Sequence, residues 1–289
     1  MAGKLSFHVY NIKLQTNKTG TIRSNEYVRL IEKLASKPFK YFETSKNEAI
    51  VLYSFINTKD GADSLFLYGR AAKGMYVPGN ERTILKEGQI KSEANDPNDI
   101  INPVIVRCLF HTKRHRLFIE KLNGGPTASD IENYLKRELP RLVENNDKLE
   151  IILEKDASAI QEIFSAKVVH SISYRVSYTN EDFLDELADE LDQELKSTNT
   201  GELTVTAKSD NNAEGLKLEN SKFLGGGIKL AENNGEIRSA SITPNNGSGK
   251  RKTVKNKEVP KILSFKYLDT DNFWRKWFDF VTKIYNQQN

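Results

Sequence analysis

A single cysteine, Cys108, is all the thiol chemistry that the 289-residue chain has. One thiol closes no disulfide within the chain and builds no cysteine metal cluster, so neither organises the fold. Long apolar runs are missing too, and nothing approaches the roughly 20 residues needed to span a bilayer. The opening residues, MAGKLSFHVYNIKL, alternate polar and apolar side chains as a strand does. They lack the unbroken apolar stretch and cleavage site of a secretory leader. These absences predict a cytoplasmic protein with no direct membrane insertion. The signatures of common enzymes are absent as well: no HExxH, no dinucleotide fingerprint and no nucleophile elbow. The GSGK at 247–250 is not a phosphate loop, because Arg251 follows the lysine and Pro244-Asn245-Asn246 replaces the approach from a strand. The reading is therefore of a non-enzyme that needs no cofactor and no metal.

What is present is charge, and its distribution is uneven. The net charge of +4, on 28% charged and 38% hydrophobic residues, describes an ordinary globular protein with room for two cores. Residues 1–147 carry 23 Lys and Arg against 17 Asp and Glu, and residues 236–289 carry 11 against 5. Residues 148–235, between them, carry 9 against 17. An α+β protein of two domains follows. A basic globular body is built from 1–147 and 236–289, and 148–235 form a smaller, mobile acidic lobe of β-α-β-α-β order.

Periodicity supplies the elements. Ser24 opens a helix whose inward stripe is Tyr27, Leu30, Ile31 and Leu34, and strands are expected at 49–56, 63–72, 103–111 and 116–122. Residues 90–102 read as loop. Gly124-Gly125-Pro126 breaks the strand before it, and Thr127 with Asp130 three residues on has the form of a capping box. The middle region alternates LEIILE, DASAIQEIFSA, VVHSISYRVSY, a helix at 180–197 and ELTVTAK. Gly225-Gly226-Gly227 then suggests a hinge or loop, 243–257 a basic loop, 259–267 a strand and 271–287 a final helix.

Two segments concentrate cations. FHTKRHRLF (110–118) holds His111, Lys113, Arg114, His115 and Arg116 between apolar runs. Their flanks favour a β-hairpin over a helix, and two histidines beside three fixed cations make a poor metal site. A phosphate-contacting tip fits better, as does a solvated one. The second segment, GKRKTVKNK (249–257), supplies Lys250, Arg251, Lys252, Lys255 and Lys257. The two together read as a phosphate clamp, with a pH-dependent contribution from His111 and His115. The helix EDFLDELADELDQEL (181–195) has eight carboxylates and reads as a solvated face, or as an acidic cover over the basic surface. The final helix carries both tryptophans. Its girth suits burial, or a dimer interface through Trp274, Trp277, Phe278 and Val281. Glu150, Glu154 and Lys155 lack the partner that a nuclease site needs.

The strand, basic turn and strand, followed by Gly125-Pro126-Thr127-x-Ser129-Asp130 opening an amphipathic helix, resemble the RexA-type phage-exclusion proteins. Element order is similar over about two-thirds of the chain. The resemblance implies a homodimeric, largely sequence-nonspecific DNA-binding protein of one globular and one mobile domain, acting in abortive infection with a membrane effector encoded nearby. It vouches for the helix-entry motif alone, and the DNA contacts rest on charge. The expected function is duplex DNA binding in anti-phage defence. A nuclease or RNase toxin is the alternative, and a pure protein-interaction module a further one.

Overall fold

In the computed structural model of the chain, the described residues are 2–15, 24–36, 42–45, 47–57, 66–77, 81–86, 89–94, 100–143, 148–156, 158–178, 186–211, 213–219, 221–245, 249–255, 260–268 and 272–286. The elements run β1 (Ala2–Gln15), α1 (Ser24–Ser36), β2 (Phe42–Ser45), β3 (Glu48–Asn57), β4 (Phe66–Met75), β5 (Glu81–Lys86), β6 (Gln89–Ala94), β7 (Ile101–His111), β8 (Arg116–Glu120), α2 (Ala128–Glu138) and β9 (Lys148–Leu153). They continue with α3 (Ser158–Phe164), β10 (Val168–Val176), α4 (Glu186–Ser197), β11 (Leu203–Lys208), α5 (Gly227–Asn234), β12 (Gly235–Thr243), β13 (Lys252–Val254), β14 (Ile262–Leu268) and α6 (Phe273–Asn286). Helices and strands are both well represented, and the chain is of the α+β class. Among the described residues no helix is long and apolar enough to cross a membrane.

Two compact units emerge, residues 1–153 with 263–273 and residues 154–262 with 274–289. This division departs from the expected 1–147 with 236–289 against 148–235 at residues 148–153, 236–262 and 274–289, and strand pairing explains the first two departures. β9, the LEIILE strand, pairs antiparallel with β1, placing Ile151 opposite Ile12 and Leu149 opposite Leu14. It therefore completes the first unit instead of opening the second. β12 pairs with β10 and β13 with β12, so the basic segment around Lys252 belongs to the second unit's sheet.

The first unit is built on a sheet of order β14-β1-β8-β7-β4-β3-β2, with β9 also on β1. Alternation along β1 sends Tyr10, Ile12 and Leu14 into a core with Tyr27, Leu30, Ile31 and Leu34 of α1. Ile131, Tyr134 and Leu135 of α2 enter the same core, and each such side chain contributes about 1.5–3 kcal/mol by leaving water. The buried hydroxyls find partners: Tyr10 donates to the Ala128 carbonyl, and the Leu14 amide donates to Tyr27, both at 3.0 Å. The capping box at α2 is present in full, with the Asp130 amide donating to Thr127 and the Asp130 carboxylate accepting from the Thr127 amide. β5 and β6 form a separate hairpin, so part of the expected loop at 90–102 is strand. Its polar sequence, QIKSEA, is held by the ladder to ERTILK, with Ile90 opposite Leu85, and gives composition little to report.

The second unit has the order α3-β10-α4-β11-α5-β12-β13, followed by α6 from Trp274 on, with a fully antiparallel sheet β11-β10-β12-β13. Ile172, Tyr174, Val176, Ile237, Ala240 and Ile242 point to one face, where Ile160 and Ile163 of α3, Leu191 and Leu195 of α4 and Ile228 of α5 cover them. Gly225 and Gly226 lie in a π-helical turn that leads straight into α5 at Gly227, so the triple glycine is packed helix and no hinge. A β-carbon at Gly227 would fall on the Tyr174 hydroxyl, and one at Gly226 on the Leu187 carbonyl. Close approach is what these glycines provide.

Candidate nucleic-acid interface

The β7–β8 hairpin forms as expected, with His111 opposite Arg116 and a turn at 112–115. Its charges do not stand in water, however. His111 is 7% exposed, Arg114 9%, His115 5% and Arg116 1%, and of the five only Lys113 is exposed. His115 adopts a left-handed backbone (φ 53°), and its ring stacks on Tyr27 at 3.7 Å while its carbonyl accepts from the Ile12 amide. His111 packs edge-on against Phe66 and accepts from the Arg114 amide at 3.4 Å. Arg116 donates to the Arg114 carbonyl at 2.8 Å. Burial, with the charges of Arg114, Arg116 and Lys113, pushes His111 down to about 3. Burial with Arg116 and His111 does the same to His115. Both rings are thus neutral near pH 7 and supply no pH-dependent cation. The expected clamp tip is mostly interior structure, because its donors turn inward to backbone and aromatic partners.

The second basic segment behaves differently. Lys250, Arg251, Lys252 and Lys255 are all exposed, and Lys252 also pairs with Glu162. Lys257 lies outside the described residues. β13 is an edge strand, so these side chains border the sheet. The hairpin and this segment belong to different compact units.

On the face of the second unit's sheet opposite its helices, three successive rows are polar. Register aligns Lys208, Ser171, Ser241 and Thr253 in one row across all four strands. Thr206, Ser173 and Ser239 form the next row, and Thr204, Arg175 and Glu236 the third. Thr204, Thr206, Lys208, Ser239 and Thr253 are exposed, and the Ser173 and Thr206 hydroxyls bond at 3.1 Å. The carboxylates here are paired, Glu202 with Arg175 at 3.2 Å and Glu236 with Arg175 at 3.3 Å and Arg238 at 3.4 Å. One register shift, between Val169 and Ser171, makes His170 an extra residue in β10. Its Nε2 lies 2.9 Å from the Thr243 hydroxyl, and burial together with the nearby Arg251 charge lowers its pKa. None of these face residues stood out in the sequence beyond Arg251. The available signal was the alternation Ser171, Ser173, Arg175 in β10 and Thr204, Thr206, Lys208 in β11, where small hydroxyls and one cation per strand fill these solvent-side positions.

The remaining candidates divide. Trp277 and Val281 are fully buried within the single chain, so they are not offered to a second copy. Trp274 stacks on Trp277 at 5.6 Å, and Phe278 is half-buried. In α4, Leu191 and Leu195 are buried, and Asp192, also buried, pairs with Lys196 at 2.6 Å. Leu184 and Asp185 lie outside the described residues. Glu150 and Glu154 have separate partners, Lys13 at 3.9 Å and Lys261 at 3.0 Å.

The chain belongs to the DUF4747 family, a domain of unknown function whose profile matches residues 3–281. Comparison with curated proteins gives no match.

Proposed function

We propose that this member of the DUF4747 family is a duplex DNA-binding protein that holds the phosphate backbone without reading base sequence. The observation that supports it is the bank of exposed cations beside the second unit's sheet. Lys250, Arg251, Lys252 and Lys255 border the β13 edge, Lys208 is exposed on β11 at the opposite edge, and Lys167 is exposed just before β10. Flexible side chains of this kind displace condensed counterions from DNA, which supplies affinity independent of sequence. The resemblance to RexA-type proteins supports the wider role: phage exclusion in the cytoplasm, as a homodimer, with a membrane effector downstream.

The test is a duplex titration across salt concentrations. If about four phosphates are neutralised, affinity falls by roughly two orders of magnitude for a fourfold rise in salt. Lys250→Ala/Arg251→Ala/Lys252→Ala is expected to weaken binding and reduce the salt slope by about three. No retardation by the wild-type protein at low salt would overturn the reading. DNA recovered shortened would replace it with the nuclease, and sedimentation of the free protein decides the dimer.

A further inference from the structure

We infer that the open face of the β11-β10-β12-β13 sheet is the seat on which one sugar–phosphate backbone of the duplex lies, with His170 as its anchoring contact. This rests on the DNA-binding reading and specifies where and how that binding occurs. Three features select the occupant.

The first is shape and chemistry. Seven hydroxyls, from Ser171, Ser173, Thr204, Thr206, Ser239, Ser241 and Thr253, occupy the three rows with Lys208, Arg175 and Glu236. Successive rows stand about 7 Å apart along the strands, since each residue advances about 3.3–3.4 Å. Hydroxyls are donors without bulk, so a phosphate chain can approach the sheet closely along its length. Because both face carboxylates are paired with arginine, Lys208 and the β13 edge set the sign that an incoming ligand meets.

The second is what the rows do not carry. They contain no aromatic side chain. Single-stranded nucleic acid is held chiefly by bases stacking on aromatic platforms, and carbohydrate uses such rings as well. A face of hydroxyls and cations can read a backbone and little else, which favours the duplex, whose bases are already stacked.

The third is His170. The extra residue in β10 brings its ring to Thr243, which has the same strand parity as Ser241 and Ser239 of the open face. His170 is 7% exposed, and its Nδ1 has no hydrogen-bond partner among the described residues. When Nε2 accepts from Thr243, the neutral ring carries its proton on Nδ1, a buried donor that gains from an acceptor. Nδ1 is shielded in the free protein, so the ring must turn for a phosphate oxygen to serve as that acceptor, and the Arg251 charge lies near enough to act on the same group. Bulges often re-aim side chains in this way at working sites.

The experiment compares wild type, Ser173→Glu/Ser239→Glu and Lys250→Ala/Arg251→Ala/Lys252→Ala by fluorescence anisotropy on a labelled duplex, with circular dichroism verifying each fold. The face variant is expected to bind at least tenfold more weakly, and unlabelled duplex to compete better than a single strand of equal length. The His170 Nδ1 nitrogen resonance should shift when duplex is added. A face variant with wild-type affinity, beside a cation variant that has lost it, would overturn the seat and leave the DNA-binding reading standing. Stronger competition by single strands would also overturn it, and a stationary Nδ1 resonance would remove the anchor. Failure of the wild type to bind overturns both.

Discussion

The guanidinium of Arg107 lies over the ring of Phe273, 3.8 Å from its centroid. Glu120 holds the other side of the arrangement, accepting from Arg107 Nε at 2.9 Å, from Nη2 at 2.6 Å and from the backbone amide at 3.0 Å. The Glu120 hydrogen bonds outweigh burial and raise the Arg107 pKa. Phe273 also meets Tyr267 edge-on at 5.2 Å. One stacked arginine thereby fastens the returning segment 263–273 to the strands of the first unit.

Removing either member should loosen that segment. Phe273→Ala is expected to cost about 2 kcal/mol, from lost apolar contact and the cation–π interaction. Arg107→Lys should cost about 1–2 kcal/mol, because an ammonium cannot reproduce the two-toothed fit to Glu120. Urea midpoints with unchanged slopes would register both, and a midpoint unmoved by Phe273→Ala would refute the fastening.

The helix-entry motif makes a second prediction. Asp130 caps α2 and also pairs with Lys73 at 3.1 Å. Burial alone would raise its pKa, but the bonds from Thr127 and Lys73 outweigh it and hold the carboxyl below its ordinary value. A depressed carboxyl stabilises the fold above its unfolded pKa of about 3.9, and that stability is lost as pH falls through the folded value. Thr127→Ala is expected to cost about 1 kcal/mol and Asp130→Ala more, since it loses cap and ion pair together. A double-mutant cycle with Lys73→Ala isolates the pair, and additive losses would show that Lys73 contributes nothing through Asp130.

The histidines of the hairpin give a third. Both are held neutral, at about 3, against about 6.5 unfolded. Between those values the unfolded chain binds more protons, so stability falls as pH is lowered through this window. Each histidine adds a slope of up to about 1.4 kcal/mol per pH unit there. His115→Asn tolerates the left-handed backbone and removes one titration, so its stability between pH 7 and 5 should slope less than that of the wild type. Parallel slopes would contradict the burial of His115.

Much of the local structure was legible in the chain. The stripe Tyr27, Leu30, Ile31 and Leu34 and the Thr127–Asp130 box are periodic or local features, and both stand where the sequence places them. Pairing between distant strands was less so. LEIILE has the same alternation whether it lies beside β1 or beside β10, and only the ladder to β1 decides. Charge was the least reliable guide to exposure. A run of cations reads as surface because burying charge is costly, yet Arg116 meets that cost partly through the Arg114 carbonyl. The site at the open sheet face was hidden for the opposite reason, since small hydroxyls attract no notice until register aligns them.

Glycine packing yields a fourth prediction. Gly226→Ala and Gly227→Ala each place a methyl group against fixed atoms, the Leu187 carbonyl and the Tyr174 hydroxyl. Tyr174 cannot easily retreat, because it is fully buried and donates to the Phe223 carbonyl. Each substitution is expected to cost about 1–3 kcal/mol or more by overpacking, although alanine is the better helix former. A more stable Gly227→Ala protein would show that helix propensity outweighs the close approach.

The hairpin cations separate structure from binding within one turn. Lys113 is exposed, whereas Arg116 is 1% exposed and bonded to the Arg114 carbonyl at 2.8 Å. Lys113→Ala should leave stability within about 0.5 kcal/mol of wild type, as surface substitutions generally do. Arg116→Ala should cost about 3 kcal/mol or more, because it empties a filled interior position and strands the groups around it. Replacing Lys113, Arg114 and Arg116 together would then destabilise the first unit, so a change in DNA binding by that triple variant would not report a contact at the hairpin. Thermal melts of the two single variants decide the matter. Equal melting temperatures would return Arg116 to the surface, while a large gap leaves Lys113→Ala as the clean probe of whether this turn meets DNA.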